Sequence, residues 1–346
     1  MADGGTPNNV SIKHVARHAG VSVGTVSNVL NRPEIVTEAT RERVSAAIRE
    51  LGFVRNEQAR QLKAGASRTI AFIMLNGSNP FFTDVAAGIE DVAEERGVGV
   101  YLCDTRQDAA REARYLDMVG EQRLRGVLLT PIANEHPRIE SLHHQGTPVV
   151  LVDHHDETGQ RCSVSVDDVL GARLAISHLL EGGHKQIGFV GGPESLFQVR
   201  DRLAGARLAV AEADDSDARL HVIATEQMSI EEGRVAAGRI LGMPTESRVT
   251  AVLCTNDLLA LGLLQEVMQA GVRVPQELAI VGYDDIYFAS AAVVPLSSVR
   301  QPRHELGRTA AELLLEEAEF LPDHVHRQIQ FEPQLVVRAS SNWRIH

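Results

Sequence analysis

The sequence has 346 residues, of which 44% are apolar and 23% are charged, and its formal net charge is −12. This length accommodates about two or three domains with substantial cores, and the composition excludes a disordered chain or a collagen-like repeat. The negative charge argues against a protein that coats nucleic acid over its whole surface.

The chain carries no signal for export or membrane insertion. No apolar run approaches the ~18 residues that cross a bilayer, and residues 1–9 lack the basic and apolar regions of a signal peptide. We therefore expect a cytoplasmic protein with no membrane partner. The cysteines lie far apart without CxxC spacing, which indicates reduced, buried thiols rather than a disulfide or metal framework. They are Cys103, Cys162 and Cys254.

Basic charge is concentrated near the N-terminus. Residues 10–63 hold nine Lys or Arg against five Glu, so the rest of the chain is strongly acidic. A small basic head on an acidic body indicates local binding of an anion.

Two short helices are predicted at the start of this head. Ser11 is a plausible N-cap for a helix over residues 12–19, which Gly20 ends, and Ser22 can cap a second helix over residues 23–30. Small and apolar side chains lie where the two helices must cross, as in a helix-turn-helix. They are Ile12, Val15, Ala16, Ala19, Val21, Val26 and Val29.

A third helix completes the head. Thr37 can cap it, and an apolar stripe extends to about Leu51. The spacing by itself also fits an ordinary three-helix bundle with no role in DNA binding.

The residue string of the head resembles a known family. SIKHVARHAGVSVGTVSNVLN, followed by VTEATRERVSAAIRELGFVRNEQARQLKAG, resembles the head of the lactose-repressor (LacI/GalR) family of bacterial transcription regulators. The resemblance implies that the helix over residues 23–30 enters the major groove, with base-contacting positions at Val23, Gly24 and Asn28. It implies phosphate contacts at Ser22, Thr25, Ser27 and Asn31.

The chemistry of these positions predicts little direct recognition of bases. Asn28 can pair with an adenine edge, whereas Val23 offers only apolar contact and Gly24 has no side chain. We therefore expect this protein to depend on DNA shape and deformability more than most family members do.

Residues 56–64, NEQARQLKA, resemble the family's hinge helix. The resemblance implies that Leu62 wedges into the minor groove at the operator centre, with Ala59 and Lys63 beside it, and that the wedge bends the DNA. The alternative is a loop leucine packed on the body.

From Thr69 onward, short β-branched runs alternate with helical stretches. This alternation predicts a two-lobed α/β core with two doubly wound parallel sheets, whose ligand binds beyond the carboxyl ends of the strands, between the lobes. Eight runs have the pattern of buried strands. They are TIAFIML, GVYLC, GVLLTP and PVVLVD, then QIGFVGG, LHVIAT, AVLCTND and LAIVGYDD.

Acids, amides and an arginine follow several of these strands. Such groups suit a neutral polyhydroxyl ligand, because carboxylates accept from hydroxyls and a guanidinium donates to them. At any single position, a helix cap or a turn residue explains the same side chain equally well.

The body also resembles the family, in the effector-binding core that is similar to periplasmic sugar-binding proteins. The segments that carry the resemblance include NPFFTDVAAGIEDVAEERG, RLAGARLAV, CTNDLLALGLL and VPQELAIVGYDDI. One departure is Met228, where the family often has an aromatic platform, and it favours a sugar or sugar phosphate over a flat purine. The implied effector contacts are Phe81, Phe82, Asp153, Arg202, Asn256, Asp284 and, at the edge of the cleft between the lobes, Gln301.

These patterns predict three regions. They are a helix-turn-helix head over 10–55, a hinge helix and linker over 56–67, and an effector-binding and dimerisation core over 68–346. Lobe 1 is expected at about 68–165 and 300–328, and lobe 2 at about 166–299 and 329–346.

No catalytic site, cofactor site or metal site is predicted. Gly188-Phe189-Val190-Gly191-Gly192 lacks the spacing of a nucleotide loop, and a turn is favoured there. A cluster of histidines could bind metal, but the metal-ligand spacing is missing. The cluster is His136, His143, His144, His154 and His155.

The sequence therefore predicts a homodimeric transcription regulator, most simply a repressor, that binds a pseudopalindromic DNA operator and responds to a small sugar-like effector. One alternative is a corepressor-dependent regulator that responds to a nucleoside, a purine or a sugar phosphate. Another is a cytoplasmic sugar-binding protein with a non-functional head.

Overall fold

The structure is a computed structural model that describes residues 10–53, 67–132, 137–213, 217–321 and 323–342. The chain divides into two compact units, a head of residues 1–66 and a body of residues 67–346. No helix in the described ranges is both long enough and apolar enough to cross a bilayer.

Residues 10–53 of the head form three α-helices: α1 (Ile12–Ala19), α2 (Val23–Asn31) and α3 (Glu38–Leu51). α2 is one residue longer than predicted, and a 3-10 turn at Pro33–Ile35 follows it. Gly20 adopts a φ of 63°, the left-handed conformation that ends α1 at little steric cost. The three helices close around a small apolar core, as their spacing predicted. Its buried members are Val15, Ala16, Ala19, Val26, Val44 and Ala47.

The body alternates strands and helices through most of its length. Its first half contains β1 (Thr69–Met74), α4 (Pro80–Glu95), β2 (Gly99–Asp104), α5 (Ala109–Glu121), β3 (Gly126–Leu129), α6 (Pro137–His144), β4 (Val149–Val152), β5 (Ser163–Val166) and α7 (Asp168–Glu181). Its second half contains β6 (Gln186–Gly191), α8 (Phe197–Ala211), β7 (Arg219–Ala224), α9 (Ile230–Leu241), β8 (Ala251–Cys254), α10 (Asp257–Gln269), β9 (Ala279–Asp284), α11 (Tyr287–Ala291), β10 (Ser297–Arg300), α12 (Arg303–Phe320), β11 (Gln328–Phe331) and β12 (Gln334–Val336).

The strands form two six-stranded sheets, one in each lobe. The first has the order β11-β5-β4-β3-β1-β2 and is parallel throughout, and the second has the order β12-β10-β9-β8-β6-β7 with β12 antiparallel. All eight predicted strand runs contain strands. Each sheet buries apolar residues on both faces, as expected when helices cover a parallel sheet.

The chain crosses between the sheets three times: after β5, after β10 and after β11. The last crossing lies a few residues later than expected, because β11 pairs with β5 in the first sheet. Pro333 separates β11 from β12, since proline has no N–H to donate to a strand ladder.

Helix pairs in both lobes pack so closely that they require glycine where they meet. A Cβ added at Gly233 of α9 would lie 2.1 Å from the carbonyl oxygen of Leu259 in α10. A Cβ at Gly307 of α12 would lie 2.0 Å from the carbonyl oxygen of Val85 in α4. These close helix–helix contacts hold the helices against the two sheets, at whose strand ends the predicted effector residues lie.

Candidate functional site

The predicted recognition helix of the head is α2. Its N-cap Ser22 accepts a hydrogen bond from the backbone N–H of Thr25 at 3.0 Å, and the two hydroxyls lie 2.9 Å apart. Val26 is fully buried against the other two helices. The opposite face of α2 therefore faces solvent.

The predicted DNA-contacting residues lie on or beside this outer face. Val23 is 41% exposed, and Gly24, Asn28 and Asn31 are also exposed. Thr25 and Ser27 are half-buried, and the Asn31 side chain donates to the Ser27 carbonyl at 2.9 Å. The predicted minor-groove residues Ala59, Leu62 and Lys63 lie outside the described residues.

In the body, the predicted effector residues come together where the strands of the two sheets end. Asp153 directly follows β4 of the first lobe, and Asp284 ends β9 of the second. Both have positive φ, 58° for Asp153 and 99° for Asp284. Such backbone conformations cost about 1–3 kcal/mol each for a residue with a side chain, and they concentrate at functional sites.

A buried ion pair lies at the centre of this region. Nε of Arg202 in α8 donates to Oδ1 of Asp168 in α7 at 2.8 Å, and the guanidinium also donates to the Thr255 carbonyl. Nη1 of Arg202 is 3.9 Å from Oδ1 of Asp284, and the guanidinium lies over the ring of Tyr283 at 3.7 Å. Asp153, Asp168, Arg202 and Asp284 are all nearly fully buried, and we call them the carboxylate–arginine cluster.

Carboxyl groups outnumber the guanidinium three to one within this cluster. Burial raises the pKa of Asp153, Asp168 and Asp284, and the guanidinium of Arg202 offsets only part of that rise. Burial alone would lower the pKa of Arg202, but the surrounding carboxylates raise it overall. Nε and Nη1 of Arg202 donate to Asp168 and Thr255, and the effector contact of Arg202 that the resemblance implies stays a prediction.

Direct hydrogen bonds join the two lobes here. Asn79, the N-cap of α4, donates from Nδ2 to Oδ2 of Asp284 at 3.0 Å. Gln198 of α8 donates from Nε2 to both the carbonyl and Oδ2 of Asp153, each at 2.9 Å. Gln301, on the second crossing, donates to Oδ1 of Asp284 at 2.8 Å.

Several acceptors in this region remain without donors. Asp153 Oδ1, Gln198 Oε1 and Gln301 Oε1 are buried and accept no hydrogen bond from any described residue. A buried acceptor left unpaired costs about 1–3 kcal/mol. The region is therefore suited to a partner that supplies hydrogen-bond donors.

The remaining predicted effector residues also make local structural contacts. Phe81 and Phe82 pack edge to face, with centroids 5.0 Å apart, and are buried in the core of the body. Asn256 caps α10 by accepting from the Leu259 N–H at 2.9 Å, and its Nδ2 donates to the carbonyl of Met228 at 3.2 Å.

A groove of about 460 Å³ opens beside the second crossing. It borders Gln301, Arg303 and Asp84, and Arg303 joins its two sides by donating to Asp84 at 2.8 Å. The groove does not border the carboxylate–arginine cluster.

Comparison with known proteins identifies the chain. Residues 11–56 match the bacterial regulatory proteins of the lacI family, and residues 176–341 match the periplasmic binding protein-like domain. The HTH-type transcriptional repressor PurR of Photobacterium profundum is 33% identical over 331 residues, covering 95% of this chain and 98% of that protein.

The chain belongs to the LacI family.

Solved structures of LacI-family proteins are similar to this chain over both the head and the body. The lac repressor dimer bound to operator and the anti-inducer ONPF is 27% identical, with a TM-score of 0.82, covering 96% of this chain and 99% of that one. The transcriptional regulator CelR in complex with cellobiose is 30% identical, with a TM-score of 0.70 over 96% and 99% of the two chains. This LacI-family protein is thus a DNA-binding transcription regulator with a helix-turn-helix head and a periplasmic-binding-protein-like core, and it belongs to a non-enzymatic family.

Two motifs weighed in the sequence have structural explanations. Gly191 and Gly192 end β6, where a Cβ would lie 2.2 Å from the Thr255 side chain and 2.1 Å from the Thr225 carbonyl, respectively. The glycines therefore permit close packing. Of the histidine cluster, His136 lies outside the described residues, His143 and His144 pack edge to face, and His154 packs on Phe197 with ring centroids 4.1 Å apart.

Sequence analysis missed Asp168, Gln198 and Tyr283. Asp168 had a weak signal, because it begins a helix directly after the buried strand VSV. Gln198 and Tyr283 had none, since each acquires its role from contact with a residue distant in the chain.

Proposed function

We propose that this LacI-family regulator is a repressor that binds a pseudopalindromic operator as a homodimer and responds to a small, neutral polyhydroxyl effector held between the lobes. The observation that carries the proposal is the set of buried acceptors beside the carboxylate–arginine cluster, because sugar hydroxyls supply the donors that these acceptors lack.

Charge selects among sugar-like effectors. The cluster contains three carboxyl groups and one guanidinium, all buried. A phosphate group brought among them would need a cation, and Nε and Nη1 of the one guanidinium already donate to Asp168 and Thr255. A neutral sugar is therefore favoured over a sugar phosphate, and the likeness to the CelR–cellobiose complex supports this choice.

The outer face of α2 supports operator binding by the head. Asn28 is the exposed amide that can pair with adenine, and Val23 can contact a thymine methyl. A Cβ at Gly24 would meet only the Ser22 hydroxyl, at 3.6 Å, so the absent side chain reflects no packing constraint. The base contacts are few, and we propose that the hinge residue Leu62 supplies much of the operator preference through DNA bending.

Exposed apolar side chains on both lobes support a homodimer. Tyr101 and Leu102 lie exposed on β2, an edge strand of the first sheet, and Val222 lies exposed on β7, an edge strand of the second. Tyr287 and Phe288 of α11 are 76% and 52% exposed. Unpaired edge strands with apolar side chains are suited to burial against a second copy.

The proposal is tested by selecting bound duplexes from a randomised pool, with and without a panel of neutral sugars, sugar phosphates and nucleosides. We expect enrichment of a palindrome centred on a deformable step, and its release by a neutral sugar. Retention strengthened by the small molecule would show corepression instead. Enrichment of no sequence at moderate salt, with sugar still bound, would refute the operator part.

Asp153→Asn tests the effector site. The substitution replaces one carboxyl oxygen by an amide NH2 while Gln198 keeps an oxygen to donate to, so we expect a folded protein with unchanged operator affinity. Effector affinity should fall about tenfold, because a buried hydrogen-bonding group left without its partner costs about 1–3 kcal/mol. Calorimetric titration measures it, with the exposed Glu94→Gln as the matched control. Unchanged effector affinity would remove Asp153 from the site.

Leu62→Ala tests the hinge. We expect weaker operator binding with unchanged effector affinity, because the wedge that stabilises the bent DNA is shortened. Equal operator affinity of the variant and the wild type in a salt-matched titration would contradict the proposed role of Leu62.

A further inference from the structure

We propose that Cys162, Glu317, His324 and His326 bind a Zn²⁺ ion in the first lobe. One ligand atom from each of these residues lies within 4.8 Å of all the others. Its four members belong neither to the carboxylate–arginine cluster nor to the histidines weighed in the sequence.

Strand pairing assembles the four residues. Cys162 immediately precedes β5, and His324 and His326 lie on the connection from α12 to β11. Because β11 pairs with β5 in register Gln328 to Ser163, the two histidines are brought beside the cysteine. Glu317, near the end of α12, points into the same space.

The distances approach those of a tetrahedral site. Zn–S bonds of about 2.3 Å and Zn–N or Zn–O bonds of about 2.0–2.1 Å place neighbouring ligand atoms roughly 3.3–3.7 Å apart. Sγ of Cys162 lies 3.1 Å from Nε2 of His324 and 3.9 Å from Nδ1 of His326. Nδ1 of His326 lies 3.8 Å from Oε2 of Glu317. These three separations differ from the tetrahedral ones by about half an ångström or less, and the remaining pairs of ligand atoms lie within 4.8 Å of each other.

A buried carboxylate faces the other members of the cluster. Glu317 is 1% exposed, and the groups that reach its carboxyl are the Cys162 thiol and Nδ1 of His326, 3.8 Å from Oε2. A buried carboxylate oxygen in this position is costly unless a cation or donor reaches it. Cys162 is fully buried, while the two histidines are half-buried, which leaves a route from solvent.

The donor set selects the metal. Thiolate and imidazole ligands favour Zn²⁺ and related first-row ions over Mg²⁺ and Ca²⁺, which prefer oxygen. Four protein ligands close the coordination sphere, as in structural zinc sites. The thiol proton is released to solvent as the Zn–S bond forms.

The bound ion would link two strands that lead into crossings between the lobes. β5 and β11 remain paired up to those crossings, where the Asp167 N–H donates to the Phe331 carbonyl at 2.9 Å. Zinc would therefore stabilise the first lobe at the point where it joins the second.

The test uses the full chain, stripped of metal with a chelator and then titrated with Zn²⁺ and, separately, with Co²⁺. We expect one equivalent of Zn²⁺ to bind and to raise the unfolding temperature. Co²⁺ should give a sulfur-to-cobalt charge-transfer band and the intense visible absorption of a four-coordinate site.

Cys162→Ser should abolish the charge-transfer band and weaken Zn²⁺ binding by at least ~100-fold. His324→Ala, at a half-buried position that tolerates truncation better, should also weaken it. Cys103→Ser, which removes a buried thiol on β2, is the matched control and should change neither readout. Zn²⁺ binding that is absent, or that survives both ligand substitutions, would overturn the proposal, as would a Co²⁺ complex without the sulfur band.

Discussion

Replacing Arg202 by Met should destabilise this regulator strongly, and more so at high pH than at low pH. The guanidinium is 3% exposed and is the positive group that contacts Asp168 at 2.8 Å and Asp284 at 3.9 Å. Methionine retains much of the volume over the Tyr283 ring, so the change removes mainly charge and hydrogen bonds.

The magnitude follows from the burial of the pair. Removing one partner of a buried ion pair costs about 3–5 kcal/mol, because the other charge remains in a low-dielectric environment. Here three carboxyl groups, Asp153, Asp168 and Asp284, lose their shared counter-charge. Against a total stability of about 5–15 kcal/mol, this loss is large.

The pH dependence has a defined sign. Burial raises the pKa of these carboxyl groups in the folded chain, so they bind protons more tightly when folded than when unfolded. Stability therefore falls as pH rises from the unfolded pKa, about 3.9, toward the folded one. Without Arg202 their pKa rises further, so the loss of stability should be greater at about pH 8 than at about pH 5.

Urea unfolding followed by circular dichroism at both pH values measures the loss. Arg200→Met is the matched control, because Arg200 lies on the same helix, is half-exposed and contacts Asp201 at 3.1 Å, and such a surface pair contributes less than about 1 kcal/mol. Adding Asp168→Leu to Arg202→Met should recover part of the loss. A loss equal to that of Arg200→Met, or identical at both pH values, would refute this account of the cluster.

Two further predictions concern packing and protonation. Gly233→Ala should lower the free energy of unfolding by about 1–3 kcal/mol, because its Cβ would clash with the Leu259 carbonyl. Gly238→Ala on the same helix has open space and should be neutral or raise that free energy by up to about 1 kcal/mol. Equal effects of the two substitutions in urea unfolding would contradict the packing argument. Burial lowers the pKa of His154 to about 4, so the wild type should lose stability as pH falls from about 6.5 to about 4, by at most about 3 kcal/mol from this group. His154→Phe keeps the contact with Phe197 and should lose less over that window; parallel pH profiles for the two proteins would show that His154 does not contribute.

Local signals were sufficient for the first two helices of the head and for eight of the twelve described strands of the body. N-cap serines, glycines after helices and β-branched runs depend on residues within a few positions of one another. They placed α1 at its observed bounds, α2 to within one residue, and a strand in each of the eight runs. β11 was harder to place, because the run QIQFEPQLVV continues without a clear break in its pattern from β11 into β12, which belong to different sheets. Only the pairing of β11 with β5 decides where the chain crosses between the lobes.

The sequence by itself determined that the chain has a basic helix-turn-helix head and a two-lobed α/β core, because caps, turns and periodicity are encoded by near neighbours. It also placed acids and amides at strand ends. The tertiary structure alone decided how those groups are paired. Arg202 pairs internally with Asp168, 34 residues away, and Cys162 meets His324 across 162 residues. Such contacts depend on strand order and helix packing, and the spacing of residues along the chain does not encode them.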